Sequence, residues 1–258
     1  QRRELLLHRL AVDGRIVAKD LAAELGLSED SIRRDLRSLA AAGLCQRVYG
    51  GALPASPAMA DYRTRQGVHP EGKLRVARAA AALIEPGSTV ILDGGTTALA
   101  VAQALPPDLL ATIVTHSPTV AAALAEHPRV EVLVLGGRIF KHSVVACGAW
   151  AVEEAQRVSA DLFLLGVTGV HAEAGLTTGD AEEAAMKRTL AGRAAETYVL
   201  ASAEKIGAAS PFLVLPLAEV AGVVTDAPGD SAAVAGLAAA GVRVVAATTD
   251  HLGAGPSS

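Results

Sequence analysis

Two short stretches carry residues whose types and spacing could do chemistry. In "VILDGGTTALAVAQAL", residues 90–105, an apolar run ends at Asp93 and Gly94-Gly95 follows. Thr96 and Thr97 then offer hydroxyls just where a helix begins. Glycines let the backbone approach a ligand closely, and the free N–H groups and dipole at a helix start attract an anion, above all phosphate. No Lys follows the glycines and there is no GxGxxG spacing, so this is neither a P-loop nor a dinucleotide fingerprint. A tight strand-to-helix turn with no ligand is the plain alternative. The second stretch is "GLSEDSIRRDLRSLAAAGLCQRVYGGAL", residues 26–53. Ser31, Arg33, Arg34 and Arg37 share a helix-like run with regularly spaced apolar residues, and Arg47, Tyr49 and Gly50-Gly51 come after it. Arginine grips guanine or phosphate bidentately.

The elements that must position these residues follow from the pattern. Ile32, Leu36 and Leu39 recur at i, i+4, i+7, one buried stripe. Ser28 suits the cap of this helix and Gly43 its left-handed stop, which predicts a helix over 29–42. Leu21 and Leu25 mark a helix just upstream, and Gly26 permits the sharp turn between the two, giving a helix-turn-helix. Leu5, Leu6 and Leu10 supply a covering helix. Leu44, Arg47, Val48, Tyr49 and the Gly pair read as a strand and tight turn, a β-wing. The second helix of such a unit lies in the major groove. Glu29 and Asp30 suit the helix dipole but must turn away from phosphate or accept from cytosine.

Residues 54–73 hold Pro and Gly breaks with little periodicity and read as a linker. Beyond a helix in "LRVARAAAALI", β-branched runs occur at 89–92, 112–115, 130–135, 162–167, 197–200, 220–225 and 242–246, several separated by Ala-rich stretches. Alternation of this kind means a largely parallel sheet covered on both faces. The expected organisation is therefore a winged helix-turn-helix domain at 1–53, a linker at 54–73 and an α/β domain at 74–258. Ligands of open α/β sheets lie beyond the carboxyl ends of strands. The turns "VTHSP", "VLGGRIF", "LGVTGV" and "LASAEKIG" punctuate those ends.

Composition sets bounds. Among 258 residues 51% are hydrophobic, ample for a core, while only 3% are aromatic. The net charge of −4 splits unevenly: residues 1–65 hold 11 Lys and Arg against 8 Asp and Glu, a balance of +3, which leaves −7 for the rest. Basic excess at the reading unit is the footprint expected of a DNA binder. Cys45 and Cys147 are too few and too far apart for a disulfide framework or a metal site. No apolar run is long enough for a membrane span, and the start carries no export signal, so a reducing cytoplasm is expected.

The chain resembles the DeoR family of bacterial transcription regulators. The N-terminal match lies in Ser28, Ile32-Arg33-Arg34-Asp35-Leu36, Leu39, Gly43-Leu44, Arg47 and Gly50-Gly51-Ala52, with Ser31 where the family usually has Thr. The C-terminal match runs through "DGGTT", "VTHS", "LGG", Gly148, "GLTTGDAEEAAMK", Lys205-Ile206-Gly207 and Thr225-Asp226. It implies a sensor domain related to ribose-5-phosphate isomerase and CoA-transferase folds, binding phosphorylated sugars or their catabolites. By the resemblance, Asp93, Gly94, Gly95, Thr96 and Thr97 hold the ligand, while Thr115, Ser117, Gly136, Gly137 and Lys205 line the same crevice. Two positions depart from the family: His116 stands where Asn is common, and Ser202 where Asp is common, which removes an acceptor for sugar hydroxyls. A carbohydrate-operon repressor with no cofactor, double-stranded operator DNA as partner and a homodimeric or higher state is the expectation. An isomerase-like or CoA-transferase-like enzyme and a regulator with a non-functional pocket are the alternatives. The former would have to draw a base from Asp93, Glu182, Glu183 and Lys205.

Overall fold

A computed structural model describes residues 2–247. Its N-terminal unit runs α1 (Arg2–Asp13), β1 (Ile16–Val17), α2 (Ala18–Leu25), α3 (Glu29–Ala41), β2 (Cys45–Val48) and β3 (Gly51–Pro54). Gly26, at φ +64°, makes the left-handed turn between α2 and α3, where a Cβ would be strained. The Ser28 hydroxyl accepts from the Ser31 N–H to cap α3. Ile32, Leu36 and Leu39 are buried against Leu6, Leu10, Ile16 and Leu21, each burial contributing about 1.5–3 kcal/mol. Strands β2 and β3 form the wing, and the short β1 adds to β3, in the order β1-β3-β2.

The segment expected to be a linker is folded. A 3-10 turn at Pro57–Met59 leads to α4 (Tyr62–Gln66), and α5 (Pro70–Ala81) starts before residue 74. The Ser56 and Asp61 side chains cap the first two of these pieces. Such pieces are too short to show a hydrophobic period, so the sequence pattern there is that of a loop.

The α/β unit continues with β4 (Thr89–Leu92), α6 (Thr96–Ala104), β5 (Ala111–Thr115), α7 (Pro118–Leu124) and β6 (Val130–Val134). A hairpin, β7 (Arg138–Phe140) and β8 (Val145–Cys147), precedes α8 (Ala149–Ala155) and β9 (Ala160–Gly166). Then come β10 (Gly169–His171), β11 (Gly175–Thr178), α9 (Ala181–Ala191), β12 (Ala194–Leu200), β13 (Phe212–Leu215), β14 (Gly222–Thr225), α10 (Ala232–Ala239) and β15 (Val244–Ala246). All seven strands expected from β-branched runs meet in one parallel sheet, in the order β15-β14-β12-β9-β4-β5-β6. Side chains alternate across it. Val90, Leu92, Leu162 and Leu164 pack under α5 and α6, whereas Ile91, Phe163 and Leu165 pack in the other core, with residues of α8 and α9. The antiparallel additions β7-β8 and β10-β11-β13 are not among the strands expected from sequence: β7 and β10 begin in the "VLGGRIF" and "LGVTGV" turns, and β8, β11 and β13 lie outside the β-branched runs. Among the described residues no helix is long and apolar enough to cross a membrane.

Candidate functional site

The strand–turn–helix at Asp93 is built as the pattern implied. β4 delivers Asp93 to the carboxyl edge of the sheet. Gly94 leaves no room for a side chain, since a Cβ there would lie 2.1 Å from Val145 Cγ1. Gly95, at φ +91°, precedes α6 without any side-chain cap, so the first N–H groups of that helix keep their donors.

Gly94, Gly95, Thr96, Thr97 and Lys205 line one pocket. Its other walls come from Ala58, Arg65, Val68 and Lys73 of the segment joining the wing to the sheet, and from Thr168, Thr178, Glu183, Lys187 and Glu204. Lys205 Nζ donates to Thr97 Oγ1 at 3.2 Å. Burial pulls the Lys205 ammonium down to about 8, against Glu204 and with help from Lys73 and Arg65. Arg65 Nη2 donates to the His142 carbonyl at 3.2 Å and to Ser143 Oγ at 3.4 Å, while its Nε is buried with no partner. Lys73 Nζ donates to the carbonyls of Arg65 and Val68. Burial lowers the pKa of both Arg65 and Lys73. Among the described residues none of Arg65, Lys73 and Lys205 has a carboxylate within ion-pair distance. The remaining cation, Lys187, is neutralised by Asp93 at 2.5 Å and Glu183 at 3.6 Å.

Asp93 itself does not line the pocket. It is fully buried, and its carboxylate accepts from the N–H groups of Gly94 and Gly166 and from Lys187, and meets His116 Nε2 at 2.7 Å. Burial pushes the Asp93 carboxyl up, but Lys187 and His116 outweigh it and hold the group well below the usual carboxylate range. With every oxygen engaged, Asp93 orients the loop from behind. His116 explains itself: its other ring nitrogen meets the Ala146 carbonyl at 2.8 Å, so it joins β8 to the loop.

Four more residues expected in the crevice lie outside its lining. Thr115 accepts from the Ser117 N–H, and Ser117 caps α7. Gly137 packs against Ala151, where a Cβ would sit at 2.8 Å, and Gly136 lies beside it in the chain, before β7. These turns follow strands nearer the sheet edge, whereas the pocket gathers at β4, β9 and the Ala203–Lys205 turn. From the sequence, Glu183 stands only as a candidate base, and Arg65, Lys73 and Lys187 are not marked as pocket residues. The "EEAAMK" spacing put Glu183 and Lys187 on one helix face, a usable signal; Arg65 and Lys73 carried none. Ser202 donates to Glu204 Oε1 at 2.7 Å, and Glu204 Oε2 is buried without a partner. A carboxylate acceptor is thus still at the pocket, two residues along.

In the reading unit Arg33, Arg34, Arg37, Arg47 and Tyr49 are exposed, and Arg33, Arg47 and Gly50 line one shallow depression between α3 and the wing. Glu29 turns back onto its own helix and takes Arg33 at 2.5 Å. Tyr49, at the wing tip, is fully exposed.

Comparison with known proteins matches residues 2–57 to the DeoR-like helix-turn-helix domain and residues 68–227 to the DeoR C terminal sensor domain. The chain belongs to the DeoR family of transcriptional regulators. Among its DeoR-family relatives is the HTH-type transcriptional regulator GlpR of Haloferax volcanii, 34% identical over 90% of this chain and 91% of that protein. A putative aga operon transcriptional repressor of Escherichia coli O157:H7 is 32% identical over 95% and 93%. The HTH-type transcriptional repressor GlcR of Bacillus subtilis is 30% identical over 86% of each chain. A ribose 5-phosphate isomerase from Methanocaldococcus jannaschii has a TM-score of 0.36 at 17% identity, covering 49% of this chain and 50% of that one. This DeoR-family chain is a DNA-binding transcriptional regulator with a C-terminal sensor domain.

Proposed function

We propose that the protein is a cytoplasmic repressor of a carbohydrate catabolic operon, controlled by a phosphorylated sugar or related metabolite. The observation that carries this reading is the group of three buried cations without carboxylate partners, Arg65, Lys73 and Lys205, around the uncapped start of α6. Buried charge is costly unless compensated, and a phosphate at Gly95–Thr97 would compensate it. Thr96 and Thr97 add hydroxyls, and Glu204 and Glu183 are acceptors for sugar hydroxyls. Relatives named for the aga operon and as the glycerol-3-phosphate regulon repressor support the substrate class.

The reader meets the major groove with α3, bringing Ser28, Ser31, Arg33, Arg34 and Arg37 to DNA, while Arg47, Tyr49 and Gly50 of the wing touch the backbone or minor groove. One reading helix spans few base pairs, so two copies related by a two-fold axis bind half-sites a whole number of helical turns apart. Exposed Leu133 and Val134 on the edge strand β6 suit burial between copies. The protein has no enzymatic role in this reading: of the carboxylates that could serve as a base, Asp93 is sealed by the Gly94 and Gly166 N–H groups, Lys187 and His116, and Glu183 is held by Thr178 and Lys187. Calorimetry with sugar phosphates and the corresponding free sugars tests the effector class, and binding of the free sugars as tightly as the phosphates overturns it. Selection of bound DNA from a random pool, with and without the bound phosphate, tests repression at an operator.

A further inference from the structure

The segment 55–73 joins the wing to the sensor sheet, and it also forms a wall of the pocket. At the end of β3, the Pro54 carbonyl accepts from Ala209 N–H at 3.2 Å, and just beyond it Ser56 Oγ donates to the Thr168 carbonyl. Tyr62 Oη donates to Thr119 Oγ1 at 3.1 Å. At the far end of the segment, the Asp226 carboxylate accepts from Arg75 at 2.7 Å and from the Ala203 N–H at 2.8 Å, and meets His69 at 3.0 Å. That carboxylate therefore ties the start of α5 to the turn carrying Lys205.

Between these anchors sit two buried cations. Arg65 is 9% exposed and Lys73 5%. The Arg65 guanidinium lies over Gly95, with Nη1 3.8 Å from where a Cβ on that residue would be, and its Nε has no partner. Lys73 uses two donors on the carbonyls of Arg65 and Val68, and so holds the Arg65 backbone in place. An ammonium has three donors, which leaves one for a ligand.

We propose that Arg65 and Lys73 are direct ligands of the effector's anionic group, opposite the α6 N-terminus, and that segment 55–73 is the element through which the sensor acts on the reader. The inference rests on the phosphate reading of the pocket. An anion between Gly95 and Arg65 gives the unpartnered Nε an acceptor and pins the segment to the sheet. The segment continues directly into wing strand β3, so its order is passed to the reader with no further element between. Coupling of this kind is reciprocal, and DNA binding changes the anion's affinity by the same factor.

The test uses the full chain, inorganic phosphate and a panel of ribose 5-phosphate, glucose 6-phosphate, fructose 1-phosphate and glycerol 3-phosphate. Binding is read by calorimetry and by amide hydrogen exchange across residues 55–73. The expected result is phosphate-dependent protection of that segment, and loss of affinity by about tenfold or more in Arg65→Gln and in Lys73→Gln, as for a lost charge-assisted hydrogen bond. Arg65→Lys, which keeps the charge, should recover part of the loss. Thermal unfolding of each variant without ligand separates lost contacts from lost folding, and if Arg65→Gln unfolds, Arg65→Lys together with the exchange pattern decides. Wild-type binding that survives Arg65→Gln unchanged, or binding with no protection of 55–73, overturns the inference while leaving the pocket reading intact. Failure of wild type to bind any of the five anions overturns both.

Discussion

Lys187 Nζ lies 2.5 Å from Asp93 Oδ2, and neither side chain is more than 3% exposed. An ion pair this deep is not a strong source of net stability, because both ions lose their hydration. Breaking it is costly, since one charge is left buried alone, typically by about 3–5 kcal/mol. Asp93→Asn should therefore destabilise the α/β unit by that order, with Lys187 and Glu183 repacking. Lys187→Met added to Asp93→Asn should recover part of the loss, read as a coupling energy in denaturant unfolding. The folded Asp93 pKa lies below its unfolded value. Its stabilisation is thus complete above the ordinary aspartate range and is lost as pH falls below it. The acid limb of a stability–pH curve should flatten in the double variant.

Lys205 should make anion binding pH-dependent. Its free-protein pKa is about 8, and a bound phosphate raises it by favouring the charged form. Affinity is then level below pH 8 and falls as pH rises above it, because binding requires uptake of a proton. Lys205→Arg, which stays charged, should remove that fall while preserving binding below pH 8. Calorimetric titrations from pH 7 to pH 10 check both curves.

Arg33→Ala with Arg34→Ala should weaken operator binding by about 1–3 kcal/mol for each arginine bidentate to a base, and binding by wild type should fall steeply with salt. Arg33 is held by Glu29 in the free protein, so DNA must compete for it. Glu29→Gln should consequently strengthen binding at low salt. Fluorescence anisotropy on a selected operator decides these, with circular dichroism confirming the fold.

Gly51 faces the carbonyl of Ile16, and a Cβ there would lie 1.7 Å from that oxygen. Gly51→Ala should force β1 and β3 apart and destabilise the reader by about 1–3 kcal/mol, the range for overpacking. Hydrogen exchange should rise across residues 2–54 and stay unchanged in the parallel sheet.

Ser56→Ala removes the Ser56–Thr168 tie without touching a proposed ligand contact. Phosphate affinity should hold within about twofold, since no charge-assisted bond to the anion is lost, while the phosphate's effect on operator affinity diminishes. Anisotropy titrations at zero and saturating phosphate measure the ratio.

Local chemistry alone determined much of this protein. The i, i+4, i+7 stripe of Ile32, Leu36 and Leu39, with Ser28 and Gly26 at its start, specifies the reading helix because each feature acts within a few residues. The seven strand runs are equally local, and Gly94-Gly95-Thr96-Thr97 announces a close-approach turn wherever the chain takes it. Which charges meet at that turn is a long-range matter. Asp93 lies 94 positions before Lys187 in sequence, and only the parallel sheet, with α9 packed on the same side, joins them and withdraws Asp93 from the ligand. The same closure brings Arg65, Lys73 and Lys205 from two distant segments to one spot, and leaves Thr115, Ser117, Gly136 and Gly137 on turns nearer the edge. Side-chain type and spacing select local conformation, but a pocket is decided by strand order, and strand order is a property of the packed sheet as a whole.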